Sequence, residues 1–301
     1  MRGPVRTTLI PPRLASLPRE REQLEYSSRS LVFARDGQRL LRAWGPPERP
    51  FVVGVEPAGS RWAVLGWGCA PATARRAARE LFSLDDPLDE FYHQTRGEPV
   101  LRGTAVRFRG LRLPRDANLY EALLHAIVGQ QLSVAAANAL KRRLLDRYGQ
   151  LLGAGGIEVP AVPRPSTLVS AGPRALRRIG LSRAKSAALV ALAAWSSRAP
   201  TALRLRTGPI DAARAELERL QGVGRWTAEN ALLRGAGRRD VFVAGDLAVR
   251  VALERYGALA RSAPEEQARA WADRWYPGWG SYATLYLWRK LVTDNAGRSA
   301  G

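Results

Sequence analysis

The chain has 301 residues, and 47 Lys+Arg against 27 Asp+Glu leave it a net charge of +20. That length fits one large domain or two ordinary ones, and a hydrophobic content of 46% argues against wholesale disorder. Cys69 is the only cysteine, which excludes a disulfide framework, a Cys-ligated iron–sulfur cluster and a Cys-rich zinc module, and His93 and His125 are too few for a zinc site.

In chain order, residues 1–25 carry four prolines and scattered arginines, and read as a poorly ordered arm without the apolar core of a secretory leader. Residues 26–112 read as an α+β N-terminal domain. SRSLVFAR, QRLLRAW, RPFVVGVEP and RWAVLGWG are apolar or alternating and are separated by DG, GPP and PAGS turn signals, which predicts a small antiparallel sheet. TARRAARELFSL then puts Ala74, Ala77, Ala78, Leu81 and Phe82 on one helical face. After Pro114 the pattern turns helical, and residues 113–292 are expected to form an all-α bundle of short helices, with a tail at 293–301. Within it, NLYEALLHAIVGQQLSVAAANALKRRLLDRYG predicts two helices broken near Gly129-Gln130-Gln131. GAGGIEVPAVPRPS reads as a Gly/Pro-rich loop, and Ser182 as the cap of SRAKSAALVALAAWSS. The longest apolar run, Ala187 to Trp195, is too short to cross a bilayer, so a soluble cytoplasmic chain with no membrane partner is expected.

Arginine dominates the charge: only Lys141, Lys185 and Lys290 are lysines, so 47 − 3 leaves 44 arginines. Arginine and alanine abundant together are also what a genome rich in G and C encodes. A surplus of this size nonetheless attracts polyanions, nucleic acid above all, because each neutralised phosphate releases condensed counterions.

The most informative segment is LERLQGVGRWTA, Leu217 to Ala228. Gly222 and Gly224 punctuate a tight turn between two predicted helices. The amides of Gly224, Arg225 and Trp226, facing outward at the start of the second helix, would suit a phosphate oxygen. A dinucleotide-binding GxGxxG turn fails, because Thr227 stands where the third glycine belongs and a helix precedes the turn. A plain helix–turn–helix connection and a helix–hairpin–helix that grips DNA backbone both stay open. Asp246, 20 residues beyond Trp226, opens DLAVRVALERYG and on spacing alone reads as an ordinary N-cap.

LQGVGRWTAENALLRGAGRRDVFVAGDLAVR resembles the signature of the helix–hairpin–helix DNA glycosylase superfamily, a hairpin followed by a Gly/Pro-rich loop and an Asp. With LYEALLHAIVGQQLSVAAA, RRIGLSRAKSAALVALA and WYPGWGSYATLYLWR, the chain is similar to the 3-methyladenine DNA glycosylase II family over roughly residues 26–292. The resemblance implies a monofunctional DNA glycosylase, a hydrolase of base excision repair that flips alkylated purines out of duplex DNA and cleaves their N-glycosidic bond. It implies a nucleoid-associated monomer that requires no cofactor. Asp246 matches the family's catalytic Asp, where a carboxylate would stabilise the oxocarbenium-like sugar and orient the attacking water. A cationic purine leaves without a strong general acid, so one carboxylate suffices where ordinary glycosidases use two. Trp226 stands where bifunctional members carry a Lys nucleophile, and an indole forms no Schiff base.

By the same resemblance, Trp226 and Trp288 wall the base pocket with faces that favour a cation, and Gln130 and Asn230 lie beside them. Trp226 as a simple core aromatic is the alternative. Gln131 is the expected wedge into the base stack, with Leu132 as the fallback, although amides between helices also serve as structural hydrogen-bonders. Gly222, Gly224, Arg225, Thr227 and Arg250 are expected against the DNA backbone, with Arg142, Arg143, Arg177, Arg178 and Arg183 further along that face. The carbonyls of Leu220 and Val223 are expected around a structural sodium or potassium ion. Asn230 replaces a Tyr sometimes found in the family, Arg289 follows Trp288, and the loop before Asp246 lacks the frequent Pro, so substrate breadth stays open. The competing readings are a non-catalytic helix–hairpin–helix DNA-binding protein and an oxidised-base glycosylase with lyase activity.

Overall fold

The fold was obtained as a computed structural model that describes residues 3–18, 30–196 and 202–299. A five-stranded antiparallel sheet opens the molecule: β1 (Val5–Leu9), β2 (Phe33–Asp36), β3 (Arg39–Trp44), β4 (Phe51–Ala58) and β5 (Arg61–Trp67), in spatial order β1-β5-β4-β3-β2. β1 corrects the expectation of an unstructured arm. Val5 pairs with Gly66 and Leu9 with Trp62, so the segment covers an edge of β5 whose N–H and C=O groups would otherwise lack partners. Leu9 and Leu17 are buried against the sheet's core, which the proline content of the segment did not reveal. Residues 1–2 and 19–25 of the expected arm lie outside the described residues.

Strands β3 to β5 read as apolar runs because both faces of the sheet are covered. Leu40, Trp44, Val53, Val55 and Val64 pack with Ala74, Ala77 and Leu81 of α1 (Pro71–Leu81). Leu41, Ala43, Val52, Leu65 and Trp67 pack instead with Ala154, Val159 and Ala161. Those three belong to the segment expected to be a Gly/Pro-rich loop, which forms a hairpin of β6 (Gln150–Ala154) and β7 (Ile157–Ala161). Gly155 and Gly156, with φ of 62° and 90°, supply the left-handed turn that matches strand twist. Pro160 inside β7 masked the strand pattern.

The helices that follow are α2 (Leu88–Thr95), α3 (Arg102–Arg107), α4 (Leu119–Gly129), α5 (Val134–Tyr148), α6 (Pro165–Arg178), α7 (Arg183–Ser196) and α8 (Ala202–Thr207). After them come α9 (Ile210–Glu218), α10 (Arg225–Ala231), α11 (Leu247–Arg255), α12 (Glu265–Trp275) and α13 (Gly280–Ser299). A π-helical turn, Leu232–Ala236, extends α10. Side chains of Asn118, Ser133 and Asp246 cap α4, α5 and α11, and Ser182 accepts from Lys185 N at 3.2 Å at the start of α7. Helices α2 and α3, which sequence placed with the sheet, share the bundle's core. The Phe91 ring of α2 lies 5.0 to 5.9 Å from those of Tyr276, Trp279, Tyr282 and Tyr286, so the C-terminal aromatics are core. α13 runs through Ser299, beyond the expected start of the tail at 293. Tyr256 Oη donates to Asp294 at 2.7 Å and Arg255 to Asn295 at 2.6 Å, which ties that end down. Among the described residues no helix is long and apolar enough to cross a membrane.

A buried ionic network joins sheet to bundle. Arg42 of β3 pairs with Glu121 of α4, their side chains 1% and 3% exposed, and donates from its other arm to the Val32 carbonyl at 3.2 Å. His125, one turn along α4, lies 3.5 Å from the same Glu121 oxygen. Asp116, Glu121 and His125 bring ligand atoms within 4.8 Å of one another, but Arg42 already neutralises Glu121 in that cluster. Burial holds the His125 imidazole below its usual 6.5, with Glu121 opposing the shift. An unfolded histidine takes up a proton below about pH 6.5 while the folded one resists, so stability falls as pH drops through that range. Denaturant titrations at neutral pH and near about pH 5.5 check this, the acid loss shrinking in His125→Leu.

Candidate active site

Asp246 caps α11, with Oδ1 accepting from the amides of Ala248 and Val249 at 3.0 and 3.1 Å. Two indoles distant in sequence meet on the same carboxylate. Trp226 Nε1 donates to Oδ2 at 3.0 Å and Trp288 Nε1 donates to Oδ1 at 2.9 Å. Every donor is an N–H, so both carboxylate oxygens act as acceptors. The oxygens are not equivalent: Oδ1 takes three donors and Oδ2 one. Oδ2 therefore keeps an open lone pair. All three side chains are half-buried, and Leu247, the next residue, stands 66% exposed at the rim.

One face of Trp288 is already covered. The Arg234 guanidinium lies 5.0 Å from its ring centroid and donates to the Pro114 carbonyl at 3.1 Å.

The turn between α9 and α10 is drawn tightly against α7. Gly222 has φ +77°, and a Cβ there would come 2.7 Å from that of Ala188. Gly222→Ala is expected to cost about 1–3 kcal/mol through left-handed strain and this overlap. Thermal melts check the loss. Gly224 caps α10 in extended conformation, and Arg225 beyond it is exposed, with its Nε 3.1 Å from Glu229 Oε1. Arg269 donates to the same oxygen at 2.6 Å, and burial raises the Glu229 carboxyl against these two cations.

Residues 124–277, which include the α4–α5 turn, the hairpin and Asp246, match the family described as HhH-GPD superfamily base excision DNA repair protein. The chain belongs to that superfamily. It is 34% identical over 179 residues to DNA-3-methyladenine glycosylase 2 of Escherichia coli K12, covering 60% of each chain. It is 28% identical over 213 residues to DNA-3-methyladenine glycosylase of Bacillus subtilis 168, covering 70% of each. Its fold matches the 3-methyladenine DNA-glycosylase from Archaeoglobus fulgidus with a TM-score of 0.81 at 25% identity, over 95% of this chain and 98% of that one. The match to the Escherichia coli protein spans 60% of that protein's length. An α+β sheet unit followed by a helix–hairpin–helix bundle is the architecture expected of such an HhH-GPD protein.

In this HhH-GPD chain several side chains serve differently from expectation. Gln130 Nε2 donates to the Gly222 carbonyl at 2.9 Å and to Thr227 Oγ1 at 2.8 Å, tying α4 to the hairpin. Thr227 is 2% exposed, so its hydroxyl faces Gln130 and not the outside where a DNA backbone would lie. Arg250 turns back onto the loop after α11, donating to the Arg261 carbonyl at 2.5 Å and bonding that of Ala263. Asn230 stays beside Trp226, its Nδ2 returning to the Trp226 carbonyl at 3.0 Å. Gln131 and Leu132 are exposed at the α4–α5 turn. Val223 N donates to the Leu220 carbonyl at 3.0 Å, closing the hairpin turn around backbone oxygens. Of the outlying arginines, Arg143 and Arg178 come together with Arg147 and Asp146 in an open groove of about 350 Å³.

Two residues escaped the sequence reading. Arg234, which backs Trp288, is one arginine among 44 and carried no distinguishing mark. Lys185 donates to the carbonyls of Val128 and Gln130, each at 2.8 Å, and burial lowers its ammonium pKa. Its one available mark was being a lysine in a chain with only three.

Proposed function

We propose that this chain is a monofunctional DNA glycosylase that excises alkylated purines of the 3-methyladenine type from duplex DNA in base excision repair. The observation that carries the reading is the Asp246 carboxylate, gripped by the indoles of Trp226 and Trp288 in a chain related to proteins named for 3-methyladenine. A flipped purine stacks against Trp226 and Trp288, where an aromatic face favours a cation. As the C1′–N bond breaks, its electron pair returns to the base, and Asp246 Oδ2 stabilises the positive charge left on the sugar. A water oxygen then bonds to C1′ and gives a proton to Oδ2 or to solvent. A base that begins as a cation leaves neutral, so no second carboxylate is needed.

Gln131, with Leu132 beside it, fills the gap in the stack. The amides of Gly224 and Arg225 and the exposed Arg225 guanidinium meet backbone phosphates, and the groove of Arg143, Arg147 and Arg178 adds positive charge. Neutral backbone oxygens of Leu220 and Val223 suit a structural sodium or potassium ion, and no step above needs an organic cofactor. Work on chromosomal DNA would place the enzyme with the nucleoid.

Incubating the protein with methylated duplex and identifying the released bases tests the reading. Release of 3-methyladenine without a borohydride-trapped protein–DNA adduct is expected, since Trp226 offers no amine. A trapped adduct would indicate a lyase, and binding without release a non-catalytic module.

A further inference from the structure

We propose that Lys185 and Gln130 form a brace that couples the hairpin's seat on the DNA backbone to insertion of Gln131, which makes Lys185 a positioning residue for base flipping. The proposal rests on the glycosylase reading above. α4 ends at Gly129, where a helix leaves carbonyls without intrahelical partners. The Lys185 ammonium takes two carbonyls at that end, those of Val128 and Gln130, each at 2.8 Å. An ammonium has three donors and no acceptor, so one group can hold both. From the same Gln130, the side-chain amide reaches across to the hairpin, to the Gly222 carbonyl at 2.9 Å and Thr227 Oγ1 at 2.8 Å.

Between these attachments and the exposed Leu132 lies Gln131, with φ of +53°. That left-handed conformation is one that a residue with a Cβ seldom adopts unaided. The bonds on Gln130 hold the preceding residue at both its backbone and its side chain, and so keep the turn in the shape that exposes Gln131. α7 supplies the rigid backing. Lys185 and Ala188 are three residues apart on one helical face; the first holds the wedge turn and the second lies directly under Gly222. Movement of the hairpin against a phosphate therefore reaches Gln131 by two routes, the Gln130 amide and the face of α7. A wedge tied in this way enters the stack where the backbone is already held.

Lys185→Met keeps the apolar stem and removes the donors, whereas Lys185→Arg keeps donors. A duplex carrying 2-aminopurine beside an abasic-site analogue reports opening of the stack by fluorescence, independently of bond cleavage. For Lys185→Met we expect most of the fluorescence rise to be lost and single-turnover release from methylated DNA to slow by about a hundredfold, as misplacement of a positioning group produces. Affinity for undamaged duplex and the melting temperature should stay at the parental values, and Lys185→Arg should restore the rise. Persistence of the rise in Lys185→Met overturns the proposal. So does a loss matched by equal loss of undamaged-duplex affinity or of folding, which would make Lys185 structural only. If the parent protein gives the rise but releases no base, the glycosylase reading fails while the brace is still decided by the fluorescence comparison. If the parent gives no rise, the brace fails, while the glycosylase reading is still decided by base release.

Discussion

Asp246→Asn is expected to slow release of alkylated bases by about a thousandfold while leaving duplex affinity and folding close to those of the parent. The amide keeps one oxygen for the N–H groups of Ala248 and Val249, so α11 stays capped. The lost feature is the negative charge. The group standing in for Oδ2 becomes an NH2 facing the Trp226 indole N–H, donor against donor where 3.0 Å now separates donor and acceptor. The sugar cation then meets neither a counter-charge nor an acceptor that orients water. Single-turnover assays on methylated duplex, with a parallel binding titration, check both halves, and release at the parental rate would place the chemistry elsewhere. Trp226→Phe separates charge from placement: the carboxylate remains and Oδ2 loses only its donor, so a smaller slowing is expected than with Asp246→Asn.

Glu121→Ala is expected to destabilise the fold by about 3–5 kcal/mol, because it strands a buried charge. Arg42 would be left in the core with the Val32 carbonyl at 3.2 Å and the Phe33 ring at 4.9 Å, neither of which neutralises a guanidinium. For a chain of this size the melting temperature should fall by roughly 10 °C. Replacing Arg42 and Glu121 together by leucine should recover much of the loss, since a buried pair contributes little net stability once the desolvation of both ions is counted. A double-mutant cycle by denaturant unfolding checks the coupling; additive losses would show that the two residues act independently.

Much of the site could be read before any tertiary contact was known. The glycines of the hairpin, the N-cap at Asp246 and the break at Gly129-Gln130-Gln131 are local, since a cap or a tight turn is made among residues a few positions apart. Apolar runs likewise marked β3, β4 and β5, although only the hairpin packed on their far side explains why both faces are buried. Where sequence reading failed, the deciding partner was far along the chain. Val5–Leu9 became a strand because β5 had an edge to cover, and Leu88–Ala105 joined the bundle because Phe91 found its partners near residue 282. The same holds for Gln130. Its place in the family motif suggested a base pocket, and only a partner 92 residues away shows that its side chain also ties α4 to the hairpin.

Residue order alone established the hairpin and the carboxylate at the head of α11, because helix capping and glycine turns are properties of a short stretch. Tertiary structure alone decided that both indoles converge on Asp246, that Arg234 covers one face of Trp288 and that Lys185 holds the α4–α5 turn. Those contacts join residues 20 to 57 positions apart, as the 42 from Trp288 to Asp246 and the 57 from Lys185 to Val128 show. They form because burying the core fixes where each helix must lie, and only then do polar groups that left water find one another.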